Sequence, residues 1–307
     1  MYIIYLYKLF LLLFLMKKSV FFTSAFKFPS HLDELKTKYA LKTNTVLKSV
    51  DIHNIHIIND NILYKQNELD KFLHNNEFIQ NKKLISLSPG GYKGFYVLGI
   101  CKYIKEHYNL DNYIFSGASA GAWNSLILSF RGDFNDIQQH LVDKQIQHAR
   151  NLYEMEHMLK YKILTKYTSD DFDLRRLFVG VTTMQKYNYN TTIFSGFNNL
   201  EDALNCCIAS SHIPLVTGGL TNVYRNFISF DGGFSKYPYL NITTPVLHIT
   251  PSIWEKNDKK NKNEVMKITD YTTIFSKKKF VFVDMVNQGY KDAFDNKHIL
   301  DKIFLGN

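Results

Sequence analysis

Three cysteines in 307 residues are too few, and too awkwardly spaced, for a disulfide framework. Cys206 and Cys207 are adjacent, Cys101 stands alone, and no C-x-x-C pair occurs. The chain therefore reads as built for a reducing compartment, with its cysteines as small core residues. Metal-ligand clusters are missing too. His53 and His56 stand three apart with no further ligand nearby in sequence, so no metal site is expected. Neither G-x-G-x-x-G nor G-K-[ST] occurs, which argues against the two common phosphate cradles. Acidic residues are in deficit, 28 against 37 Lys and Arg, for a net charge of +9. The surplus lysines are scattered, with local runs only at Lys256 to Lys267 and at Lys277 to Lys279. Zinc-finger spacing, an RNA-binding signature and an arginine-rich arm are all lacking, so nucleic acid is not an expected partner. The charge reads as solvated loop lysine and would also favour docking on anionic lipid headgroups.

What is present is apolar bulk: 45% of the residues are hydrophobic, ample for one sizeable core with an appendage. Met1 to Met16 are nearly all apolar, broken by Lys8 and followed by Lys17 and Lys18. The run is shorter than the roughly 20 apolar residues of a comfortable spanning helix. A signal peptide with Leu9 to Met16 as its apolar stretch, a retained anchor and a buried helix all fit it, leaving membrane-associated and cytoplasmic placement both open. Residues 1–25 are thus an apolar N-terminal segment, 26–83 a polar, mixed extension, and 84–305 the main domain.

The main domain alternates strand and helix patterns, which predicts an α/β fold. Leu84 to Ser88 reads as a strand, Pro89-Gly90-Gly91-Tyr92-Lys93-Gly94 as a Gly-rich turn, and Phe95 to His107 as a helix with apolar residues at Phe95, Leu98, Cys101 and Ile104. The pattern then repeats, with a strand over Asp111 to Phe115, the turn Gly117-Ala118-Ser119-Ala120-Gly121, and a helix over Ala122 to Phe130. The second turn is G-x-S-x-G, in which a serine at the apex of a tight strand-to-helix bend is exposed at a helix N-terminus. The first turn offers successive backbone N–H groups to an oxyanion, and in a parallel sheet the two turns fall side by side. Further on, the patterns predict helices over Asp133 to Tyr153, Asp170 to Phe178, Asn199 to Ser210 and Gly289 to Leu305. Strands are predicted over Val50 to Ile58, Val179 to Tyr187, Thr191 to Phe194, Phe227 to Phe230, Pro245 to Thr250 and Lys279 to Val283. Short helices are expected at Ser30 to Glu34 and over Asn67 to Ile79, and an exposed loop at Lys256 to Asn263. The strand ending at Phe230 runs into Asp231-Gly232-Gly233, displaying an acid at a strand end.

Taken in order, Pro89-Gly90-Gly91-Tyr92-Lys93-Gly94, Gly117-Ala118-Ser119-Ala120-Gly121 and Asp231-Gly232-Gly233 resemble the motif set of the patatin-like phospholipase family, G-G-G-x-[RK]-G, G-x-S-x-G and D-G-[GA]. Ala209-Ser210-Ser211-His212-Ile213-Pro214 also resembles the family's A-S-x-x-I-P segment. The resemblance implies a three-layer α/β/α fold with a mainly parallel central sheet. It also implies a cofactor-free lipid acyl hydrolase, with Ser119 as nucleophile and Asp231 as its base. Gly90 and Gly91, with Tyr92, would supply oxyanion amides. Lys93, Gly94, Gly117, Gly121, Gly232 and Gly233 match supporting positions. Pro89 departs from the family's first glycine and has no N–H, which weakens the hole if that amide is a donor and costs nothing if the next two amides serve. The expected partners are a phospholipid or other acyl lipid and a membrane surface. Two alternatives stand beside this one. One is an α/β-hydrolase triad of Ser119, Asp231 and either His248 or His298, in the available chain order. The other is a lipid-binding relative without turnover.

Overall fold

In the computed structural model of the chain, the described residues are 55–58, 77–185, 188–242, 244–255 and 277–306. The expected helix at Ser30 to Glu34, the apolar N-terminus, the Lys256 to Asn263 loop and all but the end of the Asn67 to Ile79 helix lie outside them.

Strand β1 (Ile55–Ile58) comes from the segment read as an extension, yet it adds an edge to the main sheet by pairing antiparallel with β5 (Asn188–Phe194). Next come β2 (Lys83–Leu87), β3 (Tyr113–Ala118) and β4 (Leu177–Gln185), then β6 (Asn222–Tyr224), β7 (Phe227–Phe230) and β8 (Leu247–Ile249). The sheet order is β1-β5-β4-β3-β2-β8, with β7 also on β4 and β6 on β7. The central run β4-β3-β2-β8 is parallel. Every residue of β3 is buried, as a central parallel strand requires. The architecture is mixed α/β, a mostly parallel sheet flanked by helices.

Helix α1 (Gly94–His107) follows β2, and α2 (Ala120–Leu128) follows β3. All four apolar positions expected on α1 are buried. Ile85, Leu87, Phe115, Leu177 and Val179 face a large core shared with these helices. On the other face Leu84, Ile114, Phe178 and Ile193 meet Ile79 and Leu240.

Four expectations need correction. The single helix over Asp133 to Tyr153 is divided into α3 (Phe134–Leu141) and α4 (Lys144–His148), and a further helix, α5 (Leu152–Lys166), follows. Asp133, Asp143 and Asn151 each turn extended and accept a backbone N–H at 2.9–3.0 Å, so each is an N-cap rather than an interior residue. Asp170 to Phe178 is not a helix but two 3-10 turns, Ser169–Asp171 and Leu174–Arg176, leading into β4. The Asp171 carboxylate accepts from Thr168 N at 2.7 Å and closes the first turn on itself. Lys279 to Val283 is not a strand, because α7 (Phe282–Asp295) begins inside it, and Gly289 to Leu305 is not one helix, because α7 ends at Asp295 and α8 (Lys297–Phe304) starts anew after Asn296. Packing overrides the β propensity here. Phe282, Val286, Gly289 and Ala293 form a helical stripe against α1, and Phe282 stacks on Phe95 with ring centroids 4.0 Å apart. A Cβ on Gly99 would overlap the Val286 carbonyl and one on Gly289 the Tyr96 carbonyl, so the two helices cross backbone to backbone.

The helix expected from Asn199 is α6 (Leu200–Ser210), with the Asn199 side chain accepting from Asp202 N at 2.9 Å. Among the described residues no helix is long and apolar enough to cross a membrane.

Candidate active site

Ser119 stands at the joint of β3 and α2 with φ 54° and ψ −127°, a left-handed backbone that costs a non-glycine residue about 1–3 kcal/mol. Its two flanking glycines are steric necessities. A Cβ on Gly117 would overlap the Gly121 carbonyl, and a Cβ on Gly121 would overlap the Leu87 carbonyl at the end of β2. The bend is held from α6: Ser119 N donates to Ser210 Oγ at 2.8 Å, and Ser210 Oγ donates to Gly180 O on β4 at 2.6 Å.

Asp231 lies directly after β7. The antiparallel pairing of Thr182 with Phe230 carries it to the elbow, its N–H donates to His212 O at 2.7 Å, and its carbonyl accepts from Thr182 Oγ1 at 2.9 Å. Ser119 Oγ donates to Asp231 Oδ2 at 2.7 Å, and Gly233 N donates to Oδ1 at 2.6 Å, so each carboxylate oxygen has a donor. A Cβ on Gly232 would overlap the Gly180 carbonyl, which is why this turn closes only with glycine there. Asp231 is 1% exposed and Ser119 6%. Burial pushes the Asp231 carboxyl up to about 6, against the opposing pull of the Ser119 and Gly233 hydrogen bonds.

The Gly-rich turn approaches from the β2 side. Gly91, Gly94, Ser119, Ala120 and Asp231 line one cavity of about 80 Å³. Gly91 has φ 51° and opens the 3-10 turn Gly91–Lys93, so the amides of Gly91 and Tyr92 have no carbonyl partner inside that turn. Gly90 is outside the lining, its α-carbon turned toward the Pro251 ring. The Tyr92 side chain is buried away from the cavity against Phe282, with centroids 5.6 Å apart. Burial and the nearby Glu156 raise its hydroxyl to about 12. Lys93 N donates to Gly90 O at 3.0 Å. Asn124 Nδ2 donates to both Gly94 O and Ala120 O at 3.1 Å, tying the two turns together.

The cavity runs inward between Leu98, Trp123, Ile127, Leu141, Met155 and Leu159. Neither histidine of the triad alternative joins Ser119. His248 is on β8, its Nδ1 2.7 Å from Ser86 Oγ on the sheet face that carries Leu84. His298 belongs to α8, whose Asp301 and Phe304 touch Tyr108 and Tyr113 at the start of β3, the end opposite Ser119. Among the described residues no three His, Cys, Asp or Glu side chains gather in a metal-binding group.

Three site residues carry roles that sequence reasoning did not assign. Ser210 was visible inside the quoted Ala209 to Pro214 segment, but nothing local told that its hydroxyl holds the elbow. Asn124 was hidden among apolar helix residues. Glu156 lies on α5, where Leu152, Met155, Leu159 and Ile163 mark the inward face that it shares.

A sequence model of the patatin-like phospholipase family matches residues 85–240, half of the chain, from β2 through all three motifs. No curated protein matches the chain.

Proposed function

The chain belongs to the patatin-like phospholipase family, a family of lipid acyl hydrolases, and on that premise we propose that it cleaves carboxyl esters of membrane lipids through a Ser119–Asp231 dyad and an acyl-enzyme. The observation that carries the reading is the 2.7 Å bond from Ser119 Oγ to Asp231 Oδ2 at the head of an apolar cavity.

Each step follows from the chain's own groups. Asp231, ionised above about pH 6, accepts the Ser119 proton as Oγ attacks the acyl carbonyl. The carbonyl oxygen becomes an oxyanion where the Gly91 and Tyr92 amides open their turn, at the N-terminus of α2. Proline at position 89 costs nothing if these amides serve. The tetrahedral intermediate collapses, the C–O bond of the ester breaks, and Asp231 returns its proton to the leaving alkoxide. Water then attacks the acyl-Ser119, with Asp231 again as base, and releases the fatty acid. The apolar cavity takes the acyl chain and keeps the carboxylate dry, which makes an ordinarily weak base strong enough to matter.

Approach to a lipid surface is supported by the loop that follows Ile213 of the cavity wall. Leu215 and Leu220 are 56% and 64% exposed, and Leu215 is held at φ 63°, a strained conformation for a leucine. With a net charge of +9, such a lip suits an anionic membrane.

Fatty-acid release from mixed phospholipid vesicles, with chelator present, tests the reading on the native chain, Ser119→Ala, Asp231→Asn and His248→Ala. Release by the native chain and by His248→Ala, lost in the other two, is expected. Release that persists in Asp231→Asn, or is lost in His248→Ala, would overturn the dyad.

A further inference from the structure

One carboxyl oxygen in the cavity wall has no hydrogen-bond partner among the described residues. Asn124 spends its amide on two carbonyls. Ser211 Oγ donates to Cys207 O at 3.0 Å and accepts from Trp123 Nε1 at 3.1 Å. Glu156 is different: it is 4% exposed, lines the cavity, and its Oε2 has no hydrogen-bond partner. No lysine, arginine or histidine is in the lining to pair with it. Burial first, then the charge of Asp231, drives the Glu156 carboxyl well above the usual range, against a smaller opposing hydrogen bond with Ser211. Glu156 thus presents a buried, unpaired carboxyl oxygen to the cavity, in a wall where leucine would leave no orphan.

We propose that Glu156 selects acyl chains that carry an oxygen substituent, such as a hydroxyl, over plain alkyl chains. This deepens the reading of the cavity as the acyl site and rests on it. The substituent belongs within reach of the ester, because Glu156, Ser119 and Asp231 line the same cavity. A hydroxyl there satisfies Oε2, whereas a methylene leaves it unpaired. A site built around a hydrogen bond discriminates against the ligand lacking it more sharply than a hydrophobic slot discriminates by size.

The test is binding to the Ser119→Ala chain, so that no turnover is needed. Methyl octanoate and its monohydroxy positional isomers compete with a dansylated fatty acid, with and without Glu156→Leu or Glu156→Gln. The best hydroxy isomer should bind about tenfold more tightly than the plain ester, with the preference confined to one or two positions. Glu156→Leu should erase that preference while binding the plain ester at least as well, which also shows that its cavity is intact. Glu156→Gln should keep part of the preference. Equal binding of all isomers, meaning that water satisfies Oε2, overturns the proposal, as does a preference that survives Glu156→Leu. Hydrolysis of the same esters by the native chain separates the two readings. Selective binding without acid release sinks the dyad and keeps the selector, and release without selectivity does the reverse.

Discussion

Replacing Ser210 by alanine should injure this protein in a way no surface change could. Its hydroxyl is completely buried and joins two backbone groups from different elements, accepting from Ser119 N and donating to Gly180 O. Alanine leaves both unpaired in the core. At about 1–3 kcal/mol for each orphaned group, the loss of stability is about 2–6 kcal/mol. In a domain of this size, at about 2–4 °C per kcal/mol, that lowers Tm by about 4–24 °C. The more diagnostic effect is on turnover. The Ser119 amide bond is one of the restraints holding φ at 54°, and release from it lets the nucleophile drift from Asp231. A shift of a fraction of an ångström in a reacting group lowers kcat by about ten- to a hundredfold while leaving ground-state binding alone. The assay is ester hydrolysis at a temperature where melting shows the variant fully folded, with kcat and KM resolved. Full kcat in a folded Ser210→Ala chain, or an unchanged Tm, refutes the reasoning.

The pH dependence has a definite sign. Ionised Asp231 is the active form, so kcat/KM should rise through about pH 6, roughly two units above an ordinary carboxylate. The same shift acts oppositely on stability. Burial favours protonated Asp231, a preference fully present below about pH 4 and lost as pH rises through about 6, which amounts to about 3 kcal/mol. Asp231→Asn should therefore melt higher than the native chain at pH 8 and show no such advantage at pH 4, as thermal denaturation at the two pH values can show. At the surface, the double change Leu215→Asp with Leu220→Asp should cut release from anionic vesicles severalfold while sparing hydrolysis of a soluble short-chain ester. A parallel loss on the soluble ester would place that loop in the catalytic architecture instead.

Local chemistry made the two strand-turn-helix units legible. Gly117 and Gly121 bracket Ser119 because neighbouring carbonyls leave no room for a Cβ, and such a constraint is written directly in residue identity. The α6 boundary was legible for a similar reason, since Asn199 caps it with its own side chain. Helix α5 was not legible: its apolar residues are thinly spread among charges, and its buried face includes Glu156. The aromatic and β-branched run at Phe280 to Val283 was misread as strand because nothing local reveals that Phe282 will stack on Phe95. The elbow and its acid are 112 residues apart, and their order in the chain pointed to their pairing only through a family resemblance.

By itself the sequence determined which backbone could bend. Glycines stand where close approach demands them, a serine stands at the apex, and an aspartate stands at a strand end. Those are short-range steric facts, and they survive in the order of residues. Only the tertiary structure decided how the groups are used. The β4–β7 pairing brings Asp231 within 2.7 Å of Ser119 Oγ, α6 supplies the hydroxyl that pins the elbow, and α5 buries an acid in an apolar wall. Burial and hydrogen bonding at a distance set those properties, because a carboxyl takes its proton affinity from whatever surrounds it in space.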